Sequence, residues 1–123
     1  MKECLLVGLG GACGSMLRYL LGLLPIYSLF PVITFLINIA AAVLMGFITA
    51  RLEISSGSVG LSLLLRTGFC GGFSTLSALS LEVVSLGQTH HLLLGIAYAV
   101  FSLLLCLAGI LLGEFLAQAL PIK

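Results

Sequence analysis

The sequence predicts an all-α membrane protein of four transmembrane helices, and three observations carry that prediction. Of 123 residues, 61% are hydrophobic and only 7% charged, whereas soluble domains carry about 25% charged residues. Three long stretches, residues 4–17, 19–50 and 83–113, contain no Asp, Glu, Lys or Arg. The second and third exceed the roughly 20 apolar residues that one spanning helix needs, so each must serve two helices. Finally, Pro25, a polar stretch at 51–60 and a short link at 87–91 divide the chain into four segments.

The first helix is expected over residues 2–24, stopped by Pro25. A cleavable signal peptide is a poor reading of this stretch, because it is rich in glycine and leads to Arg18 within the same helix. Residues 26–30 form an interfacial connector bearing Tyr27. The second helix begins near Pro31, a residue suited to a first helical turn, and ends near Arg51. Residues 51–60 (RLEISSGSVG) form the one clear aqueous loop. The third apolar segment spans 61–86, the fourth spans 92–120, and residues 121–123 are a frayed tail. The chain reads as membrane protein throughout. Its net charge of +1 gives no reason to expect a nucleic-acid partner.

The third segment is not an ordinary helix. Between Gly68 and Thr75 it holds three glycines and two hydroxyl residues at the expected bilayer centre. Two readings compete: glycines that allow close packing, at the spacing Gly68-x-x-x-Gly72, or a helix break that offers carbonyls to an ion. The same small-residue spacing recurs at Gly10/Gly14, Ala42/Gly46 and Gly109/Gly113. Four helices can hardly enclose a pore and also satisfy every such face, so an oligomer is expected.

Polar residues at membrane depth are candidate functional groups. Arg18 either snorkels to the near interface or faces inward as a cation for an anion. Asn38 either glues two helices or serves a site. Tyr98, Ser102 and Cys106 fall at i, i+4 and i+8, a single stripe of two hydroxyls and a thiol. That stripe can donate to a passing anion, or its serine can bond back to its own helix. Glu82 is open to two readings, ion-pair partner or interface marker. His90 and His91 read as solvated turn residues. The four cysteines, Cys4, Cys13, Cys70 and Cys106, show no metal-ligand spacing and read as small apolar packing residues, with Cys106 the candidate exception. Neither a nucleophile–base pair nor a metal motif is visible, so an enzyme is not expected. Hydrogen-bond donation and carbonyl coordination suit conduction better than catalysis.

The motifs converge on one family. Residues 10–19, GGACGSMLRY, resemble the GGxxGxxxRY opening of the CrcB/Fluc fluoride channel family. Thr34 to Asn38, TFLIN, followed by Gly46, resembles its TLxxN segment. Residues 68–82, GFCGGFSTLSALSLE, are similar to its signature GFxGGxTTFSTFxxE. The resemblance covers nearly the whole chain in the family's order. It implies a passive, fluoride-selective channel subunit of the cell membrane, which exports cytoplasmic fluoride. The implied architecture is an antiparallel, dual-topology dimer with the third helix broken at mid-membrane and a structural sodium ion at the centre. The backbone carbonyls of Gly71 and Ser74 are then the sodium ligands. Asn38, Ser77, Tyr98, Ser102, Cys106, Leu76 and Leu79 correspond to the fluoride path, and Arg18 and Glu82 to the vestibule.

Three departures stand out. The family has two phenylalanines where this chain has Leu76 and Leu79, usually a threonine at Ala78, and a serine at Cys106. Leucine offers neither an electropositive ring edge nor a donor, so a pore built from this chain alone is expected to conduct poorly. Lys2, Arg51, Arg66 and Lys123 also fall on one side of four spans, while the opposite loops carry no Lys or Arg. Such bias fixes one orientation and favours a heterodimer with a phenylalanine-bearing sister subunit over a homodimer. The alternatives are a non-conducting structural partner of such a sister and a small multidrug-type antiporter. The latter needs an embedded carboxylate in the first helix, where this chain has Arg18.

Overall fold

The computed structural model describes residues 1–55 and 57–120. The described residues form helices and connectors, without strands. Four helical stretches are long and apolar enough to cross a membrane: Lys2–Gly22, Val32–Ile54, Val59–Gln88 and Leu92–Ala119. The tail expected at 121–123, with Lys123, lies outside the described residues.

Helix α1 (Lys2–Gly22) closes just before Pro25, its last turn tightened by Leu23 and Leu24 amides that donate to Leu20 and Leu21 carbonyls at 3.2 Å. Helix α2 (Val32–Ile54) follows Pro31, whose carbonyl accepts from Phe35 N at 3.1 Å. It runs three residues beyond the expected end at Arg51. There Ser55 closes it, its amide and hydroxyl both donating to the Arg51 carbonyl, at 3.0 and 2.7 Å. Arg51 itself reaches across to the end of the last helix, α6 (Leu92–Ala119), where its guanidinium donates to the Ala117 and Leu120 carbonyls at 3.4 and 3.1 Å. Those carbonyls have no intrahelical donor, so the arginine ties the ends of α2 and α6 together.

The third stretch is composite. A short α3 (Val59–Ser62), capped by the Ser58 hydroxyl, passes into an eight-residue π-helix, Leu63–Cys70, and then into α4 (Gly71–Phe73). Ser74 and Thr75 leave the helical region, with φ/ψ of −74/157° and −151/110°, before α5 (Leu76–Gln88) begins. The π-helix was not expected, since composition does not encode an i→i+5 ladder, and such stretches are rare beyond a single turn. The turn into α6 is a Schellman-type cap. His90 adopts a left-handed conformation (φ 65°), and His91 N donates to Leu86 O at 2.8 Å.

Packing follows the small residues. A Cβ on Gly10 would collide with the Leu64 carbonyl, and one on Gly14 with the Phe69 carbonyl; one on Gly72 would sit 2.5 Å from the Gly11 carbonyl. The α1 face thus meets the π-helix and α4 backbone to backbone. On the other side of the bundle, a Cβ on Gly46 would strike the Ile110 carbonyl and one on Gly113 the Val43 carbonyl, so α2 and α6 are equally close. The small-residue faces are therefore satisfied within one chain, and the expectation of an oligomer cannot rest on them. The buried core is correspondingly thin. Ile37, Ala41 and Phe73 form one cluster, and Leu79, Leu86 and Tyr98 another, the latter with Phe30 edge-on to the Tyr98 ring at 5.2 Å. Phe101, Leu111 and Phe115 on α6 point outward, as expected of helices whose solvent is lipid. The protein is a multi-pass membrane protein.

These contacts set opposite expectations for two glycines. Gly113→Ala should destabilise the purified protein by about 1–3 kcal/mol, the usual range for overpacking. Gly8→Ala, with nothing within 4 Å of the added carbon, should be neutral or stabilise by up to about 1 kcal/mol through helix propensity. Thermal unfolding in detergent micelles measures both.

Candidate functional site

The site is organised by the interruption at Ser74–Thr75. Extended backbone there presents an N–H and a C=O without helical partners, and in an apolar surrounding such groups must be satisfied locally. Asn38, on α2 and only 7% exposed, does this with both ends of its amide. Its Oδ1 accepts from Thr75 N at 2.7 Å and its Nδ2 donates to Thr75 O at 3.1 Å. Thr75 caps α5, its hydroxyl accepting from Ala78 N at 3.2 Å and lying 3.2 Å from the Ser77 hydroxyl. Ser74 turns back, its amide and hydroxyl each donating to the Cys70 carbonyl at 3.0 Å. Arg18 Nε donates to the Gly72 carbonyl at 3.2 Å. The arginine therefore turns inward through its Nε, with which α1 grips the end of α4.

Two cavities flank the break, and Thr75 borders both. The larger, about 450 Å³, is lined by Asn38, Ser74, Leu76, Leu79, Ser102 and Cys106 among the residues expected to matter, with Cys70 and Thr75 beside them. The smaller, about 350 Å³, is lined by Arg18, Ser15, Tyr19 and Thr34. Ser102 is 2% exposed, and its hydroxyl has no hydrogen-bond partner. It does not bond back to its own helix, as Ser15, Thr49, Ser74 and Ser80 do. It stands as a free donor at the wall of the larger cavity.

The remaining expected residues lie elsewhere. Tyr98 is buried at 1% exposure and does not line either cavity. Its hydroxyl donates to Glu82 Oε2 at 2.7 Å, and Thr34 Oγ1 donates to the other carboxylate oxygen at 2.6 Å. Glu82 is thus the acceptor of a three-residue hydrogen-bond cluster. The stripe Tyr98–Ser102–Cys106 is divided: its lower members face the cavity while the tyrosine is engaged. Gly71 is exposed, a Cβ built there lying 3.9 Å from the Arg66 carbonyl oxygen, and Ser74, also exposed, lines the larger cavity. Sequence reasoning gave no role to Thr34 or Thr75. Thr34 lies one helical turn before Asn38 on the same face, and Thr75 is a cap-type residue just before an apolar helical run.

Gly71 and Ser74 suit a hard cation on one further observation. In a continuous helix their carbonyls would accept from the amides four residues on. Those amides, Thr75 N and Ala78 N, donate instead to Asn38 Oδ1 and to the Thr75 hydroxyl.

Comparison with known proteins identifies the family of the chain. The sequence model of the family described as CrcB-like protein, Camphor Resistance (CrcB), matches residues 5–114. A protein of Gloeothece citriformis named "Fluoride-specific ion channel FluC" is 38% identical over 122 residues, covering 96% of this chain and 98% of the relative. A protein of the same name from Ignicoccus hospitalis is 36% identical, covering 98% of each chain. One from Clostridium acetobutylicum, named "Fluoride-specific ion channel FluC 2", is 37% identical over 92% of this chain and 96% of the relative. With a match across nearly its whole length and relatives of equal size, the chain belongs to the CrcB family.

Proposed function

We propose that this chain is a subunit of a passive, fluoride-selective channel that exports cytoplasmic fluoride across the cell membrane. The observation that carries this reading is the unpartnered, buried Ser102 hydroxyl on a cavity that also holds the Asn38 amide. Fluoride is small and strongly hydrated, so selective passage requires aimed donors that replace its water shell. A buried donor without an acceptor suits an anion that is itself the acceptor. The names of the relatives point the same way. Export is downhill: external acid delivers neutral HF, which dissociates inside, and the membrane potential drives the anion out. A proton-coupled antiporter is disfavoured because both oxygens of Glu82 are held by hydroxyls.

The assembly we propose is an antiparallel dimer with the third helix broken at mid-membrane. Gly71 and Ser74 from each subunit are the residues that would hold a structural sodium ion through their carbonyl oxygens, and the ion would cross-link the two subunits. Hard cations take about six or more oxygens, and two per chain leave room for a second chain. Lys2, Arg51 and Arg66 sit at one end of the bundle, at the start of α1, the end of α2 and just after α3. This bias supports a heterodimer in which a sister subunit supplies the phenylalanines that Leu76 and Leu79 replace; two relatives carry the name FluC 2.

Fluoride efflux from liposomes, read with a fluoride electrode and with chloride as control, tests the reading. The chain, alone or with a phenylalanine-bearing sister, should pass fluoride and exclude chloride. Ser102→Ala should slow fluoride efflux at least about tenfold, the scale of one charge-assisted hydrogen bond. Wild-type rates in that variant would remove the serine from the path. A small positively charged methanethiosulfonate reagent should also suppress efflux by modifying Cys106, which lines the cavity and is partly accessible, and Cys106→Ser should resist it.

A further inference from the structure

We propose that Asn38 and Thr75 are positioning residues for the cation site: their side chains take the two amides that would otherwise close the Gly71 and Ser74 carbonyls into helix. This rests on the reading of those carbonyls as sodium ligands. The two diversions are parallel. Thr75 N, four residues beyond Gly71, donates to Asn38 Oδ1 at 2.7 Å. Ala78 N, four residues beyond Ser74, donates to Thr75 Oγ1 at 3.2 Å. Asn38 comes from a different helix and is buried, and it also holds the Thr75 carbonyl at 3.1 Å. The Thr75 backbone is thus gripped on both sides and kept from returning to helical geometry.

The carbonyl next to Gly71 is treated differently. Gly72 O is taken by Arg18 at 3.2 Å. A cationic guanidinium on that oxygen removes it as a cation ligand, while Gly71 and Ser74 are exposed residues. Three side chains from two other helices and from the break itself therefore sort the carbonyls of this segment: Gly72 O and Thr75 O are occupied by Arg18 and Asn38, and Gly71 O and Ser74 O have lost their helical amides. Asn38 lines the large cavity as well, so one amide links the wall of the proposed anion path to the cation site. Its Nδ2 group has two hydrogens, and the bond to Thr75 O uses one.

The test titrates sodium against N-methylglucamine at constant ionic strength, using the assembly that passes fluoride. It reads the apparent sodium affinity from radioactive sodium binding and from the rise in Tm. Asn38→Leu and Thr75→Val should each weaken sodium binding at least tenfold, and Thr75→Ser, which keeps the hydroxyl, should retain it. If the two variants lower Tm equally in sodium and in N-methylglucamine with sodium affinity unchanged, the residues are merely structural and the proposal is overturned. Absence of sodium binding by the wild type would instead defeat the sodium reading itself, and the positioning role with it. If the variants fail to fold, carbonyl-13C labels in the wild type decide. Sodium should shift the Gly71 and Ser74 resonances and leave Gly72 in place; a Gly72 shift, or an unmoved Gly71, overturns the proposal.

Discussion

The pair of hydrogen bonds between the Asn38 amide and the Thr75 backbone is the constraint on which the rest of the site depends. A chain that leaves helical geometry in an apolar surrounding exposes polar groups that cost about 1–3 kcal/mol each when unsatisfied. Asn38 answers one donor and one acceptor with a single side chain, because its amide mirrors the peptide group it faces. Once Thr75 is held in this way, α5 can start afresh with the Thr75 hydroxyl as its cap, and the two cavities open on either side of the gripped residue.

Around this point the bundle is built as two tight pairs. Helix α1 lies against the π-helix and α4, and α2 lies against α6, both at distances that only glycine permits. Lipid gives helices no hydrophobic reason to associate, so close backbone contact and polar ties must supply the attraction. Arg18 to the Gly72 carbonyl ties the first pair, and Arg51 to the end of α6 ties the second. Between the pairs stand the Asn38 clamp and the Thr34–Glu82–Tyr98 cluster, which cross from α2 to α5 and α6.

The spans were legible in the sequence because charge-free runs and proline stops are one-dimensional signals, and the observed ends differ from the expected ones by about two or three residues. The site was legible in composition but not in wiring. That Ser102 and Cys106 share a wall follows from i, i+4 spacing, but that Tyr98 leaves the stripe to bond Glu82 depends on α5 lying beside α6, which no local pattern records. Arg18 was ambiguous for a similar reason: whether an arginine snorkels or turns inward depends on an acceptor 54 positions away in sequence. The small-residue faces were read correctly as contact surfaces, yet sequence does not say whether the partner is the same chain. The π-helix left no trace in composition, since it reflects hydrogen-bond register and not residue type.

That π-helix places the carbonyl cluster on a gear. Each residue of an α-helix turns the chain by about 100° and advances it by about 1.5 Å, so the register of Leu63–Cys70 sets both the angle and the height at which α4 delivers its carbonyls. A chain with one residue fewer in this stretch has a ready resting state, an α-helical register that keeps α4 in phase with Arg18. One residue more has no such outlet and would rotate the Gly72 carbonyl out of the arginine's reach. Removal of one residue from this segment should therefore be accommodated better than insertion of one, since removal can return the π-helix to an α-helical register.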